Sequence, residues 1–357
     1  MDNDKTPFEL GYSMPAEWER HEGTWIAWPK NRDSFPEEII GSVEKTYLEM
    51  ISVLHKSEKV NLLVDDKRME ERVKALLERN KAQSNVVIHR INTADVWFRD
   101  YGPIFIAKKG SGEVAFVHWK FNAWGAKYDD LVEDTHVPGK LPLERFKRFD
   151  AQMVLEGGSI DTNGEGTLLT TEQCLLNTNR NPDFTKEDIE KNLRDYLGAT
   201  NIIWLRGGIV GDDTDGHVDD IARFVNKDTV VCCIENNKKD ENYLPLEVNM
   251  KLLERAKDQD GKRLKVVTLP MPNPVVYRNQ RLPASYANFY MANNVVLVPV
   301  FNDENDAEAL RILQGLFHRR KVIGINCREL VYGFGSLHCV TQQQPKNLQA
   351  ALKNSKE

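Results

Sequence analysis

An alternation of two hydrophobic periods along the chain is the feature that most constrains its fold. Apolar residues recur three or four apart at about residues 36–57, 67–80, 185–197, 244–259 and 305–319, a spacing that predicts five amphipathic helices. Strand-like apolar runs separate them, at residues 24–29, 60–65, 86–91, 102–107, 113–119, 166–172, 201–205, 220–225, 229–235, 264–270, 295–301 and 321–326. Units of strand, polar turn, strand, helix and strand recur about every 60 to 70 residues. We therefore expect a mixed α/β fold whose repeated modules close a ring around a central site.

No boundary divides this pattern into separate domains. The chain has 357 residues, of which 41% are hydrophobic, so it can bury a large core. It contains no linker rich in proline, glycine or serine, and the loop-like stretch at about 125–150 lies between segments that carry motifs. We predict a single catalytic domain over residues 1–357.

Charge and cysteine content restrict the partners and the compartment. The net charge of -6 and the pI near 5.9 disfavour a nucleic-acid surface, because phosphate binding needs a clustered positive field. The first residues carry no basic segment followed by an apolar run, and no stretch of about 18 apolar residues occurs. The five cysteines are odd in number and include no C-x-x-C pair. We expect a cytoplasmic protein, bound to neither membrane nor nucleic acid, with at least one free thiol.

Four glycine-bearing segments place acids, histidine and cysteine in turns next to predicted strands. They are VWFRDYGP (96–103), LEGGS (155–159), TDGHVDD (214–220) and FGSLHC (334–339). Glycine in such turns lets a ligand approach the backbone closely. A guanidinium ligand would need carboxylates to hold its fork of N–H donors, a soft nucleophile, and a group that protonates the departing ammonia. Suitable side chains of these types are Asp100, Asp219, Cys339 and His217.

Simpler explanations compete with each of these residues. Cys339 could be an inert buried thiol, although a glycine-bearing turn precedes it and a polar run follows it. Asp100 could pair with Arg99, and Glu156 could be a surface acid. A metal site built from histidine and aspartate is the main chemical rival, but H-x-x-x-H and H-E-x-x-H spacings do not occur. The residue pattern alone leaves these alternatives open.

Seven segments, in order along almost the whole chain, resemble the agmatine deiminases, which group with the bacterial-type peptidylarginine deiminases in the guanidine-modifying pentein superfamily. The segments are MPAEWERHEGTWIAWP (14–29), WFRDYGP (97–103), KFNAWGAKY (120–128), LEGGSIDTNGEGTLLTTEQCLLNTNRNP (155–182), TDGHVDDIARF (214–224), YANFYMANNVVLVPVF (286–301) and LHCVTQQQP (337–345). The resemblance implies a five-fold pseudosymmetric α/β propeller of ββαβ-type modules around a central active site.

The resemblance also implies a role for each motif residue. Cys339 would be the nucleophile, His217 the general acid and base, and Asp100 and Asp219 the acids that hold the guanidinium. Glu156 would orient and charge the histidine. The implied reaction converts agmatine to N-carbamoylputrescine and ammonia through a covalent thiouronium intermediate, in polyamine biosynthesis. It needs neither a metal nor an organic cofactor.

The substrate is less closely constrained than the chemistry. Agmatine ends in an ammonium group, for which we expect Asp213, Trp97 and Trp124 to form the distal part of the site. Free arginine would need a cation for its carboxylate, and Arg206 or Arg281 could supply one. Peptidylarginine would need an open groove. An amidinotransferase, which passes the amidine to an amine, and a binding module without catalysis are further alternatives, and a homo-oligomer is possible.

The nucleophile loop departs from the family pattern. The family usually has a run of glycines before I-H-C, whereas this chain has GFGSLHC, with Phe334, Ser336 and Leu337 in place. We expect this change to affect substrate preference more than chemistry, because the catalytic residue types are retained.

Overall fold

The computed structural model describes residues 5–347 and contains all five predicted helices. The helices are α1 (Glu37–Leu54), α2 (Lys67–Arg79), α3 (Phe98–Tyr101), α4 (Ala123–Ala126), α5 (Glu172–Leu175), α6 (Lys186–Leu197), α7 (Tyr243–Arg255) and α8 (Asp306–Leu316). Those predicted from periodicity are α1, α2, α6, α7 and α8, and their ends agree with the prediction to within a few residues. Turns of 3-10 helix occur at Asp129–Lys140, Gly157–Ser159, Val218–Asp220 and Leu330–Gly333.

Helix ends follow local chemistry. At the start of α6, Thr185 accepts a hydrogen bond from the Asp188 amide while the Asp188 side chain accepts one from the Thr185 amide, a reciprocal capping box. The helix ends at Gly198, whose φ of 72° is the left-handed conformation that glycine adopts without strain. Sequence signals therefore set the limits of this helix.

The strands include every predicted run. In chain order they are β1 (Tyr12–Ser13), β2 (His21–Ala27), β3 (Lys59–Val64), β4 (Val86–Arg90), β5 (Ile104–Lys108), β6 (Val114–Lys120), β7 (Lys147–Val154), β8 (Asp161–Thr162), β9 (Thr167–Thr171), β10 (Asn201–Leu205), β11 (Ala222–Asn226), β12 (Thr229–Ile234), β13 (Lys265–Pro270), β14 (Val276–Tyr277), β15 (Gln280–Arg281), β16 (Tyr290–Met291), β17 (Val295–Val300), β18 (Lys321–Asn326) and β19 (Gln342–Pro345).

Sheet pairing places fifteen of the described strands in five modules of one design. In each module a first strand pairs antiparallel with a second, and the second pairs parallel with a third. The triplets are β19-β2-β3, β5-β6-β7, β8-β9-β10, β11-β12-β13 and β16-β17-β18. A helix of at least 11 residues connects the second and third strands in four of them, the kind of crossover that parallel pairing needs. The expected ring of five ββαβ modules is confirmed.

Several short elements were not predicted, and two departures from the prediction affect how the ring is built. Strand β7 begins inside the stretch predicted as loop, and the crossover before it is the 3-10 segment Asp129–Lys140, which contains Pro138, in place of a long helix. Strand β19 consists of three glutamines and a proline, without an apolar pattern. It is nevertheless buried, and it closes the ring because this C-terminal strand is the first strand of the module that contains β2.

Polar contacts inside the fold explain how β19 can be buried. The Trp25 indole donates to Gln344 Oε1 at 2.8 Å, and the buried Arg99 guanidinium donates to Gln343 Oε1 at 2.7 Å. Buried amides are tolerated when they are hydrogen-bonded in this way.

Among residues 5–347, no helix is long and apolar enough to cross a membrane.

Candidate active site

Each of the five modules contributes one polar turn to the centre of the ring. The turn lies two to five residues before the first strand of its module. Asp100 precedes β5, Glu156 precedes β8, Asp219 precedes β11, Asn288 precedes β16 and Cys339 precedes β19. Because the modules repeat around a ring, these equivalent turns meet at the centre although they lie far apart in the sequence.

Gly158 marks the point on which three predicted site residues converge. A Cβ atom placed on Gly158 would lie 2.5 Å from His217 Nδ1, 2.9 Å from Asp100 Oδ1 and 3.1 Å from Asp219 Oδ2. The Gly158 amide also donates to Asp100 Oδ1 at 3.0 Å. Only glycine leaves room for the two acids and the imidazole to lie this close together.

Asp100 is a buried carboxylate held by two donors. Besides Gly158, the Trp124 indole donates to its Oδ2 at 2.9 Å. Burial and the nearby charges of Asp219 and Glu156 raise the pKa of Asp100 to about 6, although His217 and the Trp124 hydrogen bond act in the opposite direction. This carboxylate is therefore ionised near neutral pH and protonated in mild acid.

Asp219 lies at the end of a buried chain of hydrogen bonds. Its Oδ2 contacts His338 Nδ1 at 2.7 Å, and His338 Nε2 contacts Glu17 Oε2 at 2.8 Å. Burial would raise the pKa of Asp219, but the hydrogen bond and charge of His338, together with His217 and Arg223, lower it. Asp219 Oδ1 has no hydrogen-bond partner among the described residues. This carboxylate thus remains an anion with one oxygen free for a ligand.

The Cys339 sulfur lies beside these acids. It is 3.8 Å from Asp219 Oδ2 and 3.1 Å from Asn288 Nδ2, and the residue is 6% exposed. Burial raises the pKa of the thiol well above its ordinary value, and the charges of Asp219, Asp220 and Asp100 raise it further. A cation placed between these carboxylates would offset that repulsion and favour the thiolate.

His217 and Glu156 form the buried wall behind Asp100. His217 Nδ1 is 3.8 Å from Asp100 Oδ1, and neither ring nitrogen has a hydrogen-bond partner in the described chain. Glu156 Oε1 accepts from Arg180 Nε at 2.6 Å, whereas its Oε2 has no such partner. The expected contact between Glu156 and the histidine is thus a close approach, within 4.8 Å, and not a hydrogen bond.

The same wall contains the one set of metal-type ligands found among residues 5–347. Glu156, Cys174 and His217 each offer one atom, and these atoms lie within 4.8 Å of one another. The Arg180 guanidinium already neutralises Glu156, and burial raises the pKa of the Cys174 thiol well above its ordinary value. Both features disfavour a bound cation.

A cavity of about 280 Å³ leads from the surface to Cys339 and Asp100. Of the predicted site residues, Cys339, Asp100, Trp97, Trp124 and Asp213 line it. The acids Asp33 and Asp130 line it as well, both exposed to solvent. The cavity therefore has carboxylates both at its floor and toward its opening. Glu156, His217 and Asp219 are buried just beyond the lining residues, where Asp219 adjoins Cys339 and His217 adjoins Asp100.

The three residues expected at the distal end differ in position. Asp213 is partly exposed, accepts a hydrogen bond from the Tyr128 hydroxyl and pairs with Lys127 Nζ at 3.5 Å. Trp124 is engaged at the floor, where its indole supports Asp100. Trp97 is buried beneath Gly335, and its indole donates to Asp95 Oδ2 at 3.1 Å. Of these three residues, Asp213 alone offers a charge toward the opening, next to Lys127.

Neither arginine considered for a substrate carboxylate lines the cavity. Arg206 pairs with Glu172 in an exposed ion pair, and Arg281 pairs with Asp240 at 2.9 Å. The arginine that does line it is Arg278, which pairs with Glu38 at 3.2 Å. Neither Arg206 nor Arg281 is therefore in position to meet a substrate carboxylate in this cavity.

The unusual residues of the nucleophile loop have distinct positions. Phe334 adopts a left-handed conformation with φ of 70° and lines the cavity. Ser336 Oγ donates to Asn288 Oδ1 at 2.8 Å, and the Leu337 side chain is fully buried. Only Phe334 can contact a ligand in the cavity directly.

The chain is similar to known proteins over almost its whole length. Residues 13–345 match the model of the Porphyromonas-type peptidyl-arginine deiminase family. An agmatine deiminase of Medicago truncatula is 36% identical, with 97% of this chain and 99% of that protein covered.

Solved structures of agmatine deiminases are also similar to this chain. The agmatine deiminase of Enterococcus faecalis superposes with a TM-score of 0.88 at 32% identity, covering 97% of this chain and 99% of that one. A C. jejuni agmatine deiminase with substrate bound, in which a cysteine is replaced by serine, superposes with a TM-score of 0.85 at 34% identity, covering 94% and 97%. The chain belongs to the Porphyromonas-type peptidyl-arginine deiminase family.

Proposed function

We propose that this protein is an agmatine deiminase that hydrolyses agmatine to N-carbamoylputrescine and ammonia in one catalytic domain. The observation that carries the proposal is the distribution of charge along the cavity. Asp100 lies at the floor beside the Cys339 sulfur, and Asp33, Asp130 and Asp213 lie toward the opening. Agmatine is positively charged at both ends, so each end would meet carboxylates.

Substrate binding prepares the nucleophile. The guanidinium group enters between Asp100 and Asp219, whose oxygens accept its N–H donors and hold it planar beside the sulfur. Its positive charge offsets the repulsion that the carboxylates exert on a thiolate, so Cys339 gives its proton to solvent when substrate binds. Binding and activation are thus coupled, and the reacting groups are held in an orientation suited to attack.

The first half of the reaction forms a covalent intermediate. The Cys339 thiolate attacks the guanidinium carbon and forms a C–S bond. His217 gives a proton to one nitrogen, the C–N bond breaks, and ammonia leaves. The product of this half is an S-alkylthiouronium on Cys339, still positively charged and still facing Asp100 and Asp219.

The second half restores the enzyme. Water enters where ammonia left, and His217, now neutral, accepts a proton from it as its oxygen attacks the same carbon. The C–S bond breaks, the thiolate leaves, and the added hydroxyl gives its remaining proton to solvent, so that the neutral ureido product is released. One water molecule is consumed and one ammonia formed, with no change of oxidation state. We propose polyamine biosynthesis as the setting, because the product is an N-carbamoyl diamine.

The cavity also supports agmatine over arginine. Arginine carries a carboxylate that would meet Asp33, Asp130 and Asp213, a repulsive arrangement. Among the described lining residues Arg278 is the arginine available to it, and this side chain is engaged with Glu38. Peptidylarginine remains the competing substrate because the matched family model carries that name.

The test is release of ammonia and ureido product from agmatine, arginine and a blocked arginyl peptide, measured with wild type and Cys339→Ala. We expect cysteine-dependent turnover of agmatine alone. Turnover of the peptide or of arginine would overturn the substrate assignment and keep the chemistry. Transfer of the amidine to an added amine would instead indicate an amidinotransferase, and undiminished activity of Cys339→Ala would exclude the cysteine mechanism.

A further inference from the structure

Asn288 contacts the sulfur of Cys339 and the loop that carries it. Its Nδ2 donates to Cys339 Sγ at 3.1 Å and to Asp220 Oδ1 at 3.0 Å. Its Oδ1 accepts from Ser336 Oγ at 2.8 Å, from the His338 amide at 2.9 Å and from the Cys339 amide at 3.4 Å. The residue is fully buried. One side chain therefore joins the reacting atom to the backbone of its own loop.

The hydrogen-bond network determines which way this amide faces. The two backbone amides of His338 and Cys339 are donors only, so the atom facing them must be the acceptor oxygen. The other end of the amide then presents N–H groups to the sulfur and to Asp220. In a flipped amide, the N–H groups of Asn288 would face the N–H groups of His338 and Cys339. Its oxygen would face the Asp220 carboxylate.

The position of Asn288 in the fold supports a role in catalysis. Cys339, Asp100, Glu156 and Asp219 each occupy the turn before the first strand of their own module, and Asn288 occupies this turn in the fifth module, two residues before β16. The other four turns supply the residues assigned to the reaction. The fifth supplies a neutral donor aimed at the nucleophile.

We propose that Asn288 is a catalytic residue that stabilises the Cys339 thiolate through its side-chain N–H and holds the nucleophile loop through its side-chain oxygen. This inference rests on the proposed cysteine mechanism and deepens it. The Cys339 sulfur is an anion before attack and again after the intermediate is hydrolysed, and a donor at 3.1 Å favours it at both points.

The surroundings of the sulfur explain why a donor is needed. The ionisable groups whose charges act on it are three acids and a phenol: Asp219, Asp220, Asp100 and Tyr47. The His338 ring is bonded to the Asp219 carboxylate beside it. The carboxylates disfavour a thiolate, although burial and the charge of Asp219 raise the pKa of Asp220 and so reduce its share. Besides the backbone of Ser336, Asn288 is the donor that the described residues direct at the sulfur. Removing it leaves the thiolate among like charges.

The experiment measures the pH dependence of Cys339 alkylation by iodoacetamide, followed on the Cys339 peptide by mass spectrometry, in wild type, Asn288→Ala and Asn288→Asp. We expect the pH of half-maximal alkylation to rise by about one unit or more in both variants, because a hydrogen bond to a charged group is lost. With agmatine, kcat should fall about tenfold or more. The value of KM should change little, because Asn288 does not line the cavity.

Asn249→Asp is the matched control. Asn249 is also fully buried and hydrogen-bonded, through Oδ1 to the Arg206 amide at 2.9 Å and through Nδ2 to Gly207 at 2.8 Å, with no recorded contact to Cys339. The Asn249→Asp variant places a carboxylate in a buried position, with the same loss of stability, but leaves the contact between Asn288 and the Cys339 sulfur unchanged. Its alkylation profile should match that of wild type.

Only variants that thermal unfolding shows to be folded are interpreted. If Asn288→Asp does not fold, the test uses Asn288→Ala alone. A folded Asn288 variant with a wild-type alkylation profile would overturn the inference, even if its kcat were lower, since the residue would then act only on loop structure. Failure of wild type to deiminate agmatine would count against the proposed function instead. Alkylation needs no substrate, so the two failures can be told apart.

Discussion

Replacement of Gly158 by alanine adds one methyl group at the point where His217, Asp100 and Asp219 lie close together. The added Cβ would lie 2.5 Å from His217 Nδ1 and 2.9 Å from Asp100 Oδ1, whereas ordinary contacts begin at about 3.4 Å. The imidazole nitrogen would have to move by about 0.9 Å to restore such a contact. Both neighbours are buried, so neither can move into solvent.

The expected loss follows from that displacement. A misplacement of about 1 Å in a reacting group can cost about a hundredfold in rate, or about 2.7 kcal/mol of transition-state stabilisation. Overpacking of the interior adds about 1 to 3 kcal/mol of destabilisation. We expect kcat/KM for agmatine to fall about a hundredfold in Gly158→Ala, measured by ammonia release alongside thermal unfolding.

Gly41→Ala is the control for the glycine-to-alanine change itself. Gly41 lies on the exposed face of α1, where a Cβ would meet no atom within 4 Å. Alanine there should leave activity unchanged and stabilise the helix by about 1 kcal/mol. If a folded Gly158→Ala enzyme kept the kcat/KM of wild type, the proposed arrangement of His217 and Asp100 around Gly158 would be refuted.

Three further predictions concern the groups around that point. Because Asp100 must be ionised to bind a cation and its pKa is about 6, kcat/KM should rise from acid pH through about 6 and level off above it; a profile flat down to pH 4 would contradict this. Trp124→Phe removes the indole donor to Asp100, so this acid limb should move about one unit toward higher pH, and an unchanged limb would show that the hydrogen bond is not needed. Arg180→Met leaves the buried Glu156 carboxylate without its partner and should lower the free energy of unfolding by about 3 to 5 kcal/mol, measured by denaturant unfolding. Arg206→Met, in an exposed ion pair, should lower it by about 1 kcal/mol or less. Equal losses in the two variants would contradict the role of Arg180.

Local patterns predicted most of the fold because its long helices carry their own signals. The capping box at Thr185 and Asp188 and the glycine at position 198 are local features, and they bound α6 where the structure has it. Strand β19 had no such signal. Its three glutamines are polar, and they are buried only because β2, Trp25 and Arg99 supply partners from elsewhere in the chain.

The site divides in the same way. Cys339, His217, Asp100, Asp219 and Glu156 stood out because motifs surround them. Asn288 lies in YANFYMANN, a segment that drew attention only through its resemblance to the family, and its amide resembles any buried asparagine when read alone. Glu17 and His338 were missed as supports of Asp219, because hydrogen-bond partners 119 and 321 residues apart leave no local trace.

The sequence by itself determined the alternation of strands and helices, the modular repeat and the reactive residue types, since these depend on periodicity and on side-chain chemistry. Tertiary structure alone decided which turns meet, because closing the ring brings five separate turns to one centre. It also decided the electrostatics of that centre, since burial and proximity, not residue type, raise the pKa of Asp100 to about 6 and lower the pKa of Asp219. Two aspartates of the same chemistry thus acquire different properties from their surroundings.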